Sequence, residues 1–174
     1  MNKKVLNIFV FFGLVAMLLI SCIKEEDYPI VPEIEFEDFL LLINPQTQLV
    51  ERGVLKISFK DGDGDIGLRQ ADTAPPYDYN LFITYFELQN GDTVKVDIID
   101  PVSGDTTYFH ARIPILTPEG SDKSISGEIE DTLFVYNPGS AYDTIMYEVY
   151  LVDRALHKSN TIQTPLIIRD FSLD

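Results

Sequence analysis

The stretch LFITYFELQNGDTVKVDI, residues 81–98, contains the features that decide the fold. Its first part, Leu81 to Leu88, is apolar on both faces of an extended chain, which favours a central strand covered on both sides. Asn90-Gly91 follows, and this pair accepts the positive φ angles of a two-residue hairpin turn. Val94, Val96 and Ile98 then alternate with polar residues, as in a strand with one buried face. The stretch therefore predicts an antiparallel β-hairpin.

Similar patterns recur along the chain at the spacing of short strands joined by turns. In VLKISFK, residues 54–60, Leu55, Ile57 and Phe59 share one face, while lysine and serine occupy the other. No convincing helical stripe is visible from residue 33 onward. Further strands are predicted at 34–43, 108–115, 125–135, 145–151 and 162–168. With about eight strands in all, we predict an all-β fold, an antiparallel β-sandwich that occupies residues 33–174.

The stretch YEVYLVDRALHKSNTIQTPLIIRD, residues 147–170, carries a more specific pattern. A strand runs into Asp153, Ala155, Ser159 and Asn160 before the final strand begins. This arrangement resembles the last hairpin of bacterial immunoglobulin-like and fibronectin-type modules, although Leu156 stands where such loops often carry glycine. The resemblance implies an immunoglobulin-like sandwich rather than a closed barrel.

Charge and cysteine content limit the classes of function. The 174 residues include 28 acidic and 13 basic side chains, which gives a formal charge of −15. Such a charge repels phosphate backbones at long range, so we expect no nucleic-acid partner. The length suits a single domain. Because the chain has one cysteine, an intramolecular disulfide is excluded, and packing or a bound ion has to stabilise the domain.

The first 21 residues have the order of a secretory signal. Lys3 and Lys4 precede an apolar run of 13 residues, Ile8 to Ile20, which is too short for a comfortable membrane span. Leu19-Ile20-Ser21-Cys22 resembles the lipobox of bacterial lipoproteins. The resemblance implies cleavage after residue 21 and attachment of lipid to Cys22. A plain secretory signal with an incidental cysteine is the alternative.

The residues after Cys22 bear on where such a lipoprotein would sit. Lys24-Glu25-Glu26-Asp27 resembles the short signal that sends lipoproteins of Bacteroidota to the outer face of the outer membrane, although a charged tether would look the same. Residues 22–32 also contain Pro29 and Pro32, which suit neither a helix nor a central strand. We therefore expect a lipid-anchored outer-membrane protein that faces the cell exterior, with residues 22–32 as a flexible tether.

The motif DGDGDIG, residues 61–67, is the strongest candidate for a functional site. Asp61, Asp63 and Asp65 match positions 1, 3 and 5 of a helical calcium loop, but Ile66 replaces its glycine and Asp72 its bidentate glutamate. We predict a calcium site on a β-scaffold, with Asp61, Asp63, Asp65 and Asp72 as candidate ligands. A plain acidic turn and a site for Mg²⁺ or another ion stay open as alternatives. Because it follows a strand ending in Phe-Lys, the motif also resembles a recurrent block in Bacteroidota lipoproteins with sandwich domains.

Histidines and tyrosines give weaker indications of function. His110 and His157 have no cysteine or histidine at ligand spacing, so neither zinc binding nor histidine catalysis is predicted. Tyr77, Tyr79 and Tyr85 form the candidate aromatic ligand-binding patch. The alternative is that they are ordinary strand and turn tyrosines, which straddle core and solvent.

Together these patterns favour a surface-anchored module that binds, adheres or assists without catalysis. Its membrane contact is the lipid on Cys22, its ligand a protein or a glycan, and its cofactor calcium. The chain is not expected to be an enzyme. The alternative function is a cell-surface hydrolase or glycan-handling subunit that uses carboxylates, of which the chain has many.

Overall fold

The computed structural model describes residues 28–100, 102–116, 124–137 and 139–169. Within these residues the regular structure consists of strands: β1 Glu33–Ile43, β2 Val50–Asp61, β3 Leu81–Gln89, β4 Asp92–Lys95, β5 Ile98–Ile99, β6 Thr106–Thr107, β7 Ile125–Phe134, β8 Thr144–Leu151, β9 Ile162–Gln163 and β10 Ile167–Ile168. None of the described residues forms a helix long and apolar enough to cross a membrane. The predicted signal segment 1–21, Cys22 and Lys24 to Asp27 lie outside the described residues.

The strands form antiparallel sheets, which confirms the all-β prediction. One sheet has the order β1-β2-β7, and a second has the order β10-β8-β3-β4, with β9 also paired to β8. The short strands β5 and β6 pair with each other. Every pairing between these strands is antiparallel. The narrower prediction of an immunoglobulin-like sandwich stays a prediction at this point.

The hairpin predicted at residues 81–98 is present. Gln89 pairs with Asp92 across a two-residue turn. The turn residues Asn90 and Gly91 have φ angles of 56° and 99°. Positive φ at both central positions is the signature of the turn whose twist matches the flanking strands. The local sequence therefore determines how β3 and β4 connect.

Side chains from both sheets share one hydrophobic core. Leu55, Ile57 and Phe59 of β2 are buried on the face that alternation predicts. They belong to the same cluster as the inward residues of β3 and β8. Phe39 of β1 stacks on Tyr147 of β8 with ring centroids 5.5 Å apart. The Tyr147 hydroxyl donates a hydrogen bond of 2.6 Å to the Phe134 carbonyl at the end of β7. These contacts join the two sheets.

The predicted strand 108–115 is wrong as a regular strand. Its inward residues Phe109, Ala111 and Ile113 do pack on the core, as the alternation indicates. However, the segment makes only isolated bridges, Leu81 to Ala111 and Leu68 to Pro114. The reason is that the Ile83 N–H donates to the His110 side chain at 3.2 Å, which takes a ladder donor away from the backbone. Pro114 has no N–H to contribute.

The predicted last strand, 162–168, is divided into β9 and β10. Thr164 lies between them, with its N–H bonded to the Tyr147 carbonyl and its hydroxyl accepting from the Tyr147 N–H. Pro165 follows and cannot donate to a ladder. The side-chain bond and the proline together interrupt a run that looks continuous in the sequence.

Candidate metal centre

The acidic motif starts at the last residue of β2 and turns the chain away from the sheet. Asp61 has no exposed surface, and Asp63 and Asp65 are half-buried. One carboxylate oxygen from each of the three lies within 4.8 Å of those of the other two. At that distance, each pair of unit charges repels by about 3 kcal/mol at an effective dielectric constant of about 20. The fold therefore holds three negative charges together at a marked electrostatic cost.

The hydrogen bonds fix the carboxylates but leave three oxygens without a donor. Oδ2 of Asp61 accepts from the Ile66 N–H at 3.1 Å, and Oδ2 of Asp65 accepts from the Ala155 N–H at 3.0 Å. The buried Oδ1 atoms of Asp61, Asp63 and Asp65 have no hydrogen-bond partner. Buried polar atoms are normally paired. A cation bound between these three carboxylates would give such oxygens a partner.

The environment opposes ionisation of these groups in the absence of a cation. Burial, assisted by the charges of Asp63 and Asp65, raises the pKa of Asp61 from 3.8 to about 6, although the Ile66 N–H acts in the other direction. Burial and the charges of Asp153 and Asp63 also raise the pKa of Asp65. A divalent cation would reverse both effects, because it favours the ionised carboxylates.

The loop that follows β8 braces the acidic motif. The Arg154 N–H donates to the Asp65 carbonyl at 3.3 Å, next to the bond from Ala155. The Arg154 guanidinium donates to the carbonyls of Ile66 and Gly67 at 3.3 and 3.0 Å. The Arg154 side chain thus bonds the backbone and not the carboxylates. Its charge lowers the pKa of Asp65, but by less than burial and the neighbouring carboxylates raise it. These contacts shape the loop without supplying the unpaired oxygens with donors.

The glycines of the motif have packing reasons that the aspartates lack. A Cβ atom on Gly62 would lie 2.2 Å from the Tyr28 carbonyl oxygen. The Gly62 N–H donates to the Pro29 carbonyl at 2.8 Å. Gly67 has a φ of 101°, and a Cβ atom there would lie 2.2 Å from the Pro114 carbonyl oxygen. A tight turn thus explains the glycines, whereas three converging carboxylates require a different explanation.

Asp72, the fourth predicted ligand, is not in this group. Its Oδ2 accepts from the Arg69 N–H at 3.2 Å, and its own N–H donates to the Arg69 carbonyl at 3.0 Å. Asp72 therefore closes a local turn outside the cluster of three carboxylates, and its role as a ligand stays a prediction. The helical calcium loop that suggested it needs a helix after the loop, and here the chain continues into turns.

No protein-family model, curated protein or solved structure matches this chain. The chemistry of the centre follows from its own contacts. Three carboxylate oxygens, with no sulfur or imidazole among them, suit a hard cation. The group can hold a metal ion.

The three predicted ligand-binding tyrosines do not form one patch. Tyr85 is only 2% exposed and donates to Glu87 at 3.0 Å, so its assignment to an exposed patch was wrong. Tyr85 shares the inward side of β3 with Leu81 and Ile83, which the sequence could not indicate because this stretch is apolar on both faces. The Tyr77 hydroxyl lies 3.4 Å from the Arg154 carbonyl, beside the acidic motif. Tyr79 is exposed and lies next to His110, with ring centroids 5.6 Å apart.

The residues of the last-hairpin pattern all make structural contacts. Asp153 is buried and accepts from the His157 N–H at 2.7 Å, while its other oxygen lies 2.9 Å from His157 Nδ1. The Ser159 hydroxyl accepts from the Leu151 N–H at 2.9 Å. The Asn160 side chain bonds both the N–H and the carbonyl of Ile34, each at 2.8 Å. His157 thus has an orienting carboxylate, which its sequence surroundings did not indicate.

Proposed function

We propose that the chain is a lipid-anchored surface protein whose β-domain is a non-catalytic binding or accessory module stabilised by calcium at Asp61, Asp63 and Asp65. Two observations carry this proposal: Asp61, Asp63 and Asp65 bring carboxylate oxygens within 4.8 Å of one another, and each of the three has a buried Oδ1 without a hydrogen-bond partner. A plain acidic turn gives no reason to bury these atoms without donors. A cation supplies the missing partner and removes the mutual repulsion at once.

Calcium is favoured over magnesium by the type of site. Asp61 ends β2, while Asp63 and Asp65 lie on the irregular loop that follows, where carbonyls and water can complete a coordination shell of variable geometry. Ca²⁺ accepts six to eight such oxygens, whereas Mg²⁺ demands a near-ideal octahedron and keeps several waters. Extracellular calcium modules bind at about 10⁻⁴–10⁻³ M, which suits a protein displayed outside the cell.

The anchor and the surface location rest on the sequence. The order of basic residues, apolar run and Cys22 supports export and lipidation, and Lys24 to Asp27 supports display on the outer face. The absence of a second cysteine makes a bound ion a useful source of stability for an exported domain. The cation site also lies where the chain enters the domain, because Gly62 bonds Pro29.

An immunoglobulin-like topology is part of the proposal. In that fold the strands A, B and E share one sheet, and G, F and C share the other, to which variable-type domains add C′. The order β1-β2-β7 corresponds to A-B-E, and β10-β8-β3-β4 corresponds to G-F-C-C′. Such sandwiches commonly present ligand-binding surfaces on the loops at the ends of the sheets, and the proposed binding role is of this kind.

Thermal unfolding with and without calcium tests the cation site. We expect the soluble chain from residue 23 onward to melt higher in calcium than in EDTA. Binding only to the native state contributes about 2.7 kcal/mol at 100 times the Kd, or roughly 5–10 °C in Tm for a domain of this size. Magnesium at the same concentration should give a smaller increase. An identical Tm in calcium and EDTA would overturn the calcium site.

Labelling and protease treatment test the anchor and the location. Cells that express the full chain with a labelled fatty acid should incorporate the label, and Cys22→Ala should abolish it. Protease added to intact cells should remove the domain. A domain that is still labelled without Cys22 contradicts the anchor, and one that stays protected contradicts surface display.

A further inference from the structure

A groove on the sheet that contains β3 and β8 lies apart from the acidic motif. Its cavity measures about 240 Å³. Aromatic rings form part of the lining, from Tyr108, His110 and Tyr150. Polar side chains form another part, from Thr84, Lys95 and Asp97. The groove thus combines ring faces with hydrogen-bonding groups, as small-molecule sites do.

The rings are held by one another in a continuous cluster. His110 lies 5.0 Å from Phe82 and 5.7 Å from Tyr108, measured between ring centroids. Phe82 in turn stacks on Tyr150 at 4.9 Å with an angle of 9° between the rings. Tyr108 nevertheless remains 68% exposed. A large, supported and accessible ring on a soluble domain offers apolar contact area at a low entropic cost.

His110 contributes an uncharged donor to the groove. Its Nδ1 accepts a hydrogen bond of 3.2 Å from the Ile83 N–H, so the ring proton lies on Nε2. Burial lowers the pKa of His110, with Lys95 acting in the same direction and Asp78 opposing it. The ring is therefore neutral at pH 7 and adds no charge to the site.

The polar groups identify the kind of ligand. Lys95 and Asp97 place one positive and one negative charge at the groove, so neither a cation nor an anion is selected by net charge. A cage for an ammonium group is disfavoured further because Lys158 already lies 3.8 Å from the Tyr150 ring centroid. These observations favour a neutral ligand with an apolar face and several hydroxyls. Its apolar face would pack on the aromatic rings, and its hydroxyls would form hydrogen bonds with Thr84, Lys95 and Asp97.

We propose that this groove binds one neutral sugar ring of a glycan, with Tyr108 as the stacking platform. The volume lies below the lower limit of about 300 Å³ for pockets of drug-sized ligands, so a single ring fits better than a larger ligand. This inference rests on the proposed binding function and names its ligand class.

Titration with simple glycosides tests the groove. The probes are the methyl glycosides of glucose, galactose, mannose and N-acetylglucosamine, added to the soluble chain from residue 23 onward and followed by NMR shifts. We expect millimolar binding of at least one probe. Tyr108→Ala should weaken it by roughly fivefold, since a stacked ring contributes about 1 kcal/mol. Tyr136→Ala, an exposed tyrosine that does not line the groove, is the matched control and should leave the affinity unchanged.

Three results would overturn the proposal. The first is no binding of any of the four glycosides, and the second is binding that Tyr108→Ala does not weaken. The third is binding of tetramethylammonium in place of the sugars, which would make the cluster a cation cage. The same variants are also melted in calcium and EDTA. A retained calcium response with no sugar binding refutes the groove alone, whereas sugar binding without a calcium response refutes only the calcium site.

Discussion

Replacing Asp61 by asparagine should stabilise the domain in EDTA and reduce the additional stability that calcium gives. Asparagine has the shape of aspartate and can still accept the Ile66 N–H bond through its oxygen. Its amide then places a hydrogen-bond donor where Oδ1 of Asp61 stands, in the cluster with the carboxylates of Asp63 and Asp65. In EDTA, Asp61→Asn should therefore raise the Tm. In calcium, the variant lacks one charged ligand, so calcium should raise its Tm by less than it raises the Tm of wild type.

The magnitude follows from the cost of the ionised carboxylate. The rise in the pKa of Asp61 from 3.8 to about 6 corresponds to about 3 kcal/mol at neutral pH, since each pKa unit is about 1.4 kcal/mol. Removing the charge should recover much of this free energy, for an increase in Tm of roughly 5–10 °C in EDTA. The calcium response of about 2.7 kcal/mol at 100 times the wild-type Kd should fall below about 1 kcal/mol.

Differential scanning calorimetry of wild type and variant, each in calcium and in EDTA, measures both effects. Asp72→Asn is the matched control, because Asp72 belongs to the same acidic stretch but lies outside the cluster. It should leave the difference between the two conditions unchanged. If Asp61→Asn melts lower than wild type in EDTA, the carboxylates do not repel as argued. If its calcium response equals that of wild type, Asp61 is not a ligand.

Three further predictions concern pH, backbone and the buried charge. The Tm in EDTA should rise as the pH falls through about 6, because the pKa of Asp61 is raised in the folded state. Over the same range protons compete with calcium, so the stabilisation by calcium should fall from about 2.7 kcal/mol at pH 7.5 to about 1.4 kcal/mol at pH 5. Equal calcium responses at both pH values would contradict this prediction. Gly67→Ala should lower the free energy of unfolding, measured in urea, by at least about 2 kcal/mol, because its Cβ would collide with the backbone. Gly91 has a similar φ but nothing within 4 Å of the added Cβ, so Gly91→Ala should lower the free energy of unfolding by less. Arg169→Met should lower the free energy of unfolding by about 3–5 kcal/mol in the same assay, because it removes the buried cation that pairs with Glu87. A decrease of less than about 1 kcal/mol would show that hydrogen bonds alone stabilise the Glu87 carboxylate.

The strands that the sequence predicts well are those in which burial and backbone pairing agree. β2 and β3 alternate between buried and outward positions along their length, and the Asn90-Gly91 turn is set by local backbone preference. In the segment 108–115, burial follows the sequence pattern but backbone pairing does not. Its apolar residues face the core as predicted, but the His110 side chain takes the Ile83 donor. Side-chain competition for a ladder bond depends on the tertiary structure, so the period of the sequence cannot reveal it.

The candidate site, like the fold, could be predicted from the sequence only in part. Asp61, Asp63 and Asp65 were identifiable because alternating carboxylates between small residues are rare in simple turns. Ala155 and Arg154, which hold Asp65 and the following carbonyls, are about 90 residues away along the chain. The aromatic groove was missed for a related reason, since Tyr108, His110 and Tyr150 come from separate segments. A sequence shows local spacing, whereas these contacts arise from the pairing of distant strands.

The position of the acidic motif gives a reason for the fold to keep so costly a cluster. The motif contacts the segment that enters the domain through Gly62 and Pro29, and it contacts the loop after β8 through Asp65 and Ala155. That loop returns to the entering segment through Asn160 and Ile34, which are 126 residues apart in sequence. A cation held by the three aspartates would stabilise the loop through which these segments contact one another. Because a chain with one cysteine has no intramolecular disulfide, a bound ion would be a source of stability at this junction, and the repulsion among the carboxylates would make that stability depend on the ion.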